Sequence, residues 1–253
     1  MNMFTIAYFT LLEAIRCRLL IAVIAVVAAA FGLAELLGEL SITETRQAQA
    51  SITASLLRVF SICATCLFVI SSVLREQDDK GLELILSLPL PRHAYLFGKT
   101  AGFAGFSLCV AVLAALPLFL YAPAVAVGCW MLSLFCEQLL LAAFSLLCLL
   151  AFANISLAFT SAMAFYLLSR SMEALRLLSA APVLVSDANS QVFMNFLVNA
   201  LVLLLPDLHT FTRSEWLAYG VDAGAVGAVL IQTLVYLPVL LSGGLFDLYR
   251  KNL

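Results

Sequence analysis

Charge is the scarcest commodity in this sequence. Among 253 residues only 13 are Lys or Arg and 15 are Asp or Glu. Charged residues make up 11% of the chain, against roughly 25% in soluble domains, which excludes a globular enzyme with a solvated surface. No basic tract is present, and the net charge of −2 points to no nucleic-acid partner. Histidine is nearly missing. His93 and His209 are the only two, far apart, and neither has an acid–base or nucleophile constellation beside it, so both read as polar surface or interface residues. A phosphate-binding loop is missing too. Gly98-Lys99-Thr100 looks like the end of one, but His93 stands where the loop needs its first glycine, and no strand precedes it. Any ATP is therefore expected to be hydrolysed on another polypeptide. No cleavable signal peptide is expected: Glu13, Arg16 and Arg18 come before the first long apolar run, and no convincing small-residue cleavage site follows it. The seven cysteines fall mostly inside apolar runs, where they act as small hydrophobes. Cys63 and Cys66 have a metal or redox spacing, but no second pair and no nearby histidine completes it.

What the sequence has is hydrocarbon. Apolar residues make up 64% and the mean hydropathy is +1.10, the composition of a membrane protein. Apolar runs suited to crossing a bilayer, which takes about 20 residues, lie at Leu19 to Leu37, Ser55 to Leu74, Phe97 to Tyr121, Val125 to Phe152, Leu157 to about Leu178, and Ala223 to Phe246. The expected fold is all-α and polytopic, with about six transmembrane helices in a single domain spanning 1–253. Between the first two spans, Glu39 to Ser51 is polar and reads as an external loop, and Arg58 near the outer end of the second span is expected to snorkel. Gly98, Ala101, Gly102, Ala104 and Gly105 give the third span small residues that allow close helix contact. Pro123 marks a tight outer turn, and 154–156 a very short inner one. Residues 1–18 form an amphipathic segment with Phe4, Ala7, Tyr8, Leu11, Leu12, Ile15 and Leu19 at helical spacing. It reads as an interfacial helix, the alternative being the plain start of the first span. In 183–222 a short apolar run, Val192 to Leu205, lies between polar breaks and fits an external or re-entrant segment.

One stretch breaks the apolar pattern. Between Leu74 and Thr100 crowd Arg75, Glu76, Asp78, Asp79, Lys80, Glu83, Arg92 and Lys99. Each ionised side chain would cost about 2.5–3.5 kcal/mol or more at the bilayer midplane, so this is a loop in water. Acidic residues suit a first helical turn; Leu82, Ile85, Leu86 and Leu88 then give an amphipathic pattern, which Pro89 ends, and Pro91 can open the next helix. The pattern fits a short helix on the membrane surface, either as a solvated loop or as a docking element for a cytosolic partner. Basic residues favour the cytoplasmic side: Arg16, Arg18, Arg75, Lys80, Arg92, Lys99, Arg250 and Lys251 fall inside. Arg46, Arg58, Arg170, Arg176 and Arg213 fall outside or at the outer boundary.

Polar residues within the spans are few. Glu137 is a candidate for a translocation path, since a membrane carboxylate is functional by default. The alternatives are solvation at an interface, or a hydrogen bond to Gln138 or a neighbouring hydroxyl. Arg170, Glu173 and Arg176 are expected to pair along one helix face as a self-neutralising cluster, with substrate contact as the lesser reading. Phe152, Phe159, Phe165, Phe193 and Phe196 read as lipid-facing or core residues, or as the lining of an apolar path.

Arg75-Glu76, then Lys80-Gly81-Leu82-Glu83-Leu84-Ile85-Leu86-Ser87-Leu88-Pro89, then Arg92 and Gly98-Lys99 resemble the intracellular loop of ABC-2 type exporter permeases. Leu82, where that family commonly has threonine, is a departure. Leu205-Pro206-Asp207, Phe211, Trp216-Leu217 and Tyr219-Gly220 are similar to the family's outer segment before the last helix, and Phe246 with Tyr249 to Leu253 to its ending. The resemblance implies six spans, an N-terminal interfacial helix and a cytosolic coupling helix within 76–94. It also implies a dimer with itself or a related permease, two copies of a separate ATPase carrying ATP and Mg, and a bacterial cytoplasmic membrane location with both termini cytosolic. By the same resemblance Glu76, Asp79, Gly81, Glu83, Leu86, Pro89 and Arg92 contact the ATPase, and no cofactor or metal belongs to this chain.

The leading expectation is thus the membrane subunit of an ATP-driven exporter working by alternating access, without covalent chemistry of its own. The rivals are an ion-coupled secondary transporter or intramembrane enzyme with Glu137 as proton site, weakened by the lack of paired intramembrane ionisable groups, and a permease-like scaffold that transmits force to an assembly.

Overall fold

A computed structural model describes residues 3–40, 45–78, 92–152, 154–180, 205–212, 216–217, 220 and 223–250. Among these the chain is helical throughout, with no strand. The helices are α1 (Met3–Arg16), α2 (Arg18–Leu40), α3 (Thr45–Asp78), α4 (Arg92–Ala115), α5 (Ala124–Phe152), α6 (Ile155–Arg170), α7 (Met172–Ala180) and α8 (Ala223–Arg250). Five of them are long and apolar enough to cross a membrane, over Arg18–Leu36, Gln49–Glu76, His93–Leu120, Ala124–Phe152 and Gly224–Arg250. This is a polytopic helical membrane fold. The proposed coupling helix, with Asp79, Gly81, Glu83, Leu86 and Pro89, lies outside the described residues, as does most of the 183–222 segment.

Several boundaries differ from the sequence reading, each for a local reason. The expected external loop is largely helical: α2 runs to Leu40 and α3 begins at Thr45. Residues 45–51 hold Arg, Gln and Ala, with neither glycine nor proline, so α3 extends beyond the apolar run. The side-chain amide of Gln49 then donates to the Ala34 carbonyl at 2.8 Å and ties the α2–α3 hairpin together. The expected fifth span is divided at Ser171, whose N–H reaches the carbonyls of Leu167 and Leu168 at the end of α6. α4 tightens into a 3-10 turn at Leu116–Leu120, where Pro117 removes a backbone donor. The turn at Pro123 is as expected, with α5 starting at the next residue.

α5 is the hub. It is apolar on every face and buried on every face, touching α3, α4, α6 and α8. Asn154 starts α6 after an equally short connection, its Oδ1 accepting from the Ser156 N–H at 3.0 Å.

α1 has two faces. Its outer stripe of Phe4, Tyr8 and Ile15 is exposed, while Ile6, Thr10 and Ala14 are buried. The buried face sits on the glycines of α4. A methyl group added at Gly98 would come to 3.0 Å from Ile6, one at Gly105 to 2.9 Å from Leu11, and one at Gly102 to 2.5 Å from the Thr10 Cβ. In lipid, where no hydrophobic effect drives helices together, close approach over small residues is what holds such a contact.

Candidate functional site

Two polar clusters lie inside the bundle. The first is at the end where α3 finishes and α4 begins, beneath the charged loop. Lys99 on α4 is 1% exposed and its Nζ lies 2.7 Å from Glu76 Oε1 on α3. The other carboxylate oxygen of Glu76 accepts from the Tyr95 hydroxyl at 2.7 Å. Lys99 also donates to Ser72 Oγ at 3.1 Å, and Ser72 donates to Glu13 Oε2 on α1 at 2.8 Å. The Lys99 ammonium lies 5.5 Å from the Phe103 ring centre, a cation–π contact. One chain of bonds therefore joins α1, the end of α3 and the start of α4. A lysine this deeply buried is tolerated because a carboxylate and a hydroxyl meet its donors.

The second cluster is mid-bundle. Arg58 Nη1 on α3 lies 2.5 Å from Glu137 Oε2 on α5; the side chains are 2% and 0% exposed. Each residue lies roughly 20 Å along its helix from the end opposite the charged loop, at 1.5 Å per residue. The Arg58 guanidinium also lies 5.1 Å from the Trp130 ring centre. Tyr166 on α6 accepts from Arg170 Nη1 at 2.9 Å, and both lie within electrostatic reach of Glu137. Arg58 Nη2, Glu137 Oε1 and Trp130 Nε1 have no hydrogen-bond partner among the described residues.

This overturns two expectations. Arg58 does not snorkel: it turns inward, because Glu137 offers the opposite charge at the same depth. Glu137 is neither solvated nor bonded to Gln138. The intramembrane pair that the sequence seemed to lack is present.

A third set of contacts closes the far end. Leu208 and Phe211 are fully buried, in one core with Trp130, Leu134 and Leu57. Ser133 Oγ donates to the Phe211 carbonyl, Tyr236 on α8 to the Leu205 carbonyl at 3.1 Å, and Thr210 to Gln232 at 3.3 Å. α7 supplies ion contacts, Arg176 to Asp207 at 3.5 Å and Glu173 to His209 at 2.5 Å. The expected self-neutralising trio of Arg170, Glu173 and Arg176 is thus replaced by contacts to Tyr166, His209 and Asp207. Ser171 breaks the helix between Arg170 and Glu173, so the three do not share one continuous face. Nearby, Tyr121 donates to Glu35 at 2.5 Å; partial burial, then that bond and the carboxylate's charge, push the phenol up to about 12.

Of the residues proposed for ATPase contact, Glu76 is in the first cluster with both oxygens engaged, and Arg92 opens α4. Asp79, Gly81, Glu83, Leu86 and Pro89 lie outside the described residues. Sequence reasoning missed Glu13, Ser72, Tyr95 and Lys99 as a unit, since their contacts come from three helices. The Arg58–Glu137 pair had a signal: two lone opposite charges at matching depth in two apolar runs. Among the described residues no group of three or more His, Cys, Asp or Glu side chains is arranged to hold a metal ion. No family model matches this chain, and no curated protein matches it.

Proposed function

We propose that this chain is the membrane permease subunit of an ATP-binding cassette exporter. Two such subunits, identical or related, span a bacterial cytoplasmic membrane and bind two copies of a separate ATPase. The chain has six spans, α6 and α7 together making the fifth, with both termini and the 76–94 loop in the cytosol. It holds no nucleotide site and performs no covalent chemistry. ATPase closure pushes the loop, and the bundle alternates between inward- and outward-facing states.

The observation that carries this reading is the bonded chain Glu13–Ser72–Lys99–Glu76–Tyr95. It fastens both stems of the loop to each other and to α1, so force on the loop reaches three helices at once. A loop meant only to connect two spans has no need of a buried lysine at its root. The test is assembly with a Walker-type ATPase from the same cell. Glu83→Arg and Arg92→Glu should each weaken co-purification or uncouple ATP hydrolysis from transport. Intact assembly and transport in both variants would overturn the reading.

A second reading, an ion-coupled transporter, draws on the buried Arg58–Glu137 pair. It requires transport in liposomes containing this chain alone, driven by an ion gradient and abolished in Glu137→Gln. A permease-like scaffold that only transmits force would assemble with the ATPase yet move no solute.

A further inference from the structure

We propose that the cleft between α2 and α3 is a binding site for an anionic phospholipid of the surrounding bilayer. The cleft has a volume of about 340 Å³ and opens sideways; Val23, Val27, Leu57, Phe60, Ala64 and Leu67 give it a nearly continuous apolar wall. It follows the antiparallel hairpin from Leu19 and Leu67 at one end to Val27 and Leu57 at the other, roughly 12 Å along α2. α2 packs loosely here: Ile21, Ile24 and Leu36 are exposed, while Val23, Ala30 and Ala34 are its buried apolar residues among those described. Protein interiors are otherwise close-packed, and wall atoms facing an unfilled gap forfeit their dispersion contacts. An acyl chain has the shape and chemistry to restore them.

The charge at the mouth selects the headgroup. Arg16 and Arg18 flank the α1–α2 bend at Cys17, next to Leu19 where the cleft begins, and both are exposed. Neither makes an ion pair with a described residue, and the closest acidic residue in sequence, Glu13, accepts from Ser72 instead. Two guanidinium groups beside an apolar slot match a phosphodiester with its acyl chain running inward, since Arg donates to phosphate oxygens in a fixed two-pronged geometry. The proposal rests on the chain lying in a bilayer and not on the transport reading, so no ATPase enters its test.

The experiment is native mass spectrometry of delipidated full-length chain titrated with phosphatidylglycerol or phosphatidylcholine of matched acyl chains. Wild type should take up one phosphatidylglycerol about tenfold more tightly than phosphatidylcholine, the scale of two arginines near a phosphate surface. Arg16→Gln with Arg18→Gln should remove the headgroup preference and leave weak binding of either lipid. Ala22→Phe, at an exposed lip of the cleft, and Ala64→Phe, on its wall, should lose binding of both, with unchanged elution and melting as the check on folding. Equal affinity of wild type for the two lipids would overturn the proposal. So would wild-type lipid binding by a correctly folded Ala22→Phe, or loss of self-association in that variant with its lipid isotherm unchanged.

Discussion

Arg58 and Glu137 meet 2.5 Å apart in the middle of the bundle, closed off from solvent on every side. Such a pair is costly to assemble and more costly to halve, because the survivor is a lone buried charge. Glu137→Gln or Arg58→Met should each destabilise the chain by about 3–5 kcal/mol. Arg58→Met with Glu137→Met should recover most of that loss. Thermal melting in a mild detergent measures all three. A double variant as unstable as the sum of the singles would show that the two residues act independently.

The knot beneath the charged loop should behave differently, since it spreads over several bonds. Lys99→Met leaves Glu76 with Tyr95 alone, at a cost of about 2 kcal/mol, the usual value of a charge-assisted hydrogen bond. The informative readout is coupling. A bismaleimide cross-link between cysteines placed on α1 and at the end of α3 should form readily in the wild-type background and several-fold more slowly with Lys99→Met.

Gly102 has no room for a side chain, its Cβ position being 2.5 Å from the Thr10 Cβ. Gly102→Val should push α1 off α4 and destabilise the chain by about 1–3 kcal/mol, the range for overfilled contacts. Gly128 has nothing within 4 Å of its Cβ position, so Gly128→Ala should fold like wild type. Proteolysis of the N-terminal segment in detergent should rise in the first variant only.

Alkaline titration gives a separate check. With its phenol pushed up to about 12, Tyr121 stays protonated when an ordinary tyrosine, near 10, has ionised. Because the folded value is the higher one, the associated stability is complete below pH 10 and is lost as pH rises through 12. The difference in tyrosinate absorbance between wild type and Tyr121→Phe should have its midpoint near 12. A midpoint near 10 would mean that the bond to Glu35 is not made.

The sequence displayed the membrane fold because bilayer crossing is a demand on length and apolarity, both readable residue by residue. The glycine face of α4 was legible for the same reason, since Gly98, Gly102 and Gly105 recur at helical spacing. What covers that face was not. The N-terminal helix shows a broad apolar stripe that turns outward, while the narrow face of Ile6, Thr10 and Ala14 makes the contact. Arg58 was misread because an arginine near the end of a span can either snorkel or turn in, and the choice depends on a partner 79 residues away. The ends of α2 and α3 were set too early because polarity marks where a membrane stops, and helix propensity decides where a helix stops. Glu39 to Ser51 satisfies the first criterion without the second.

Asn154 leaves so little chain between Phe152 and Ile155 that α5 and α6 are hinged like two blades on one pin. Neither can slide along the other, so any large rearrangement must carry them as a pair. The joints free to bend are then Cys17, between α1 and α2, and Ser171, between α6 and α7. A motion that opens the bundle has to begin at one of those corners.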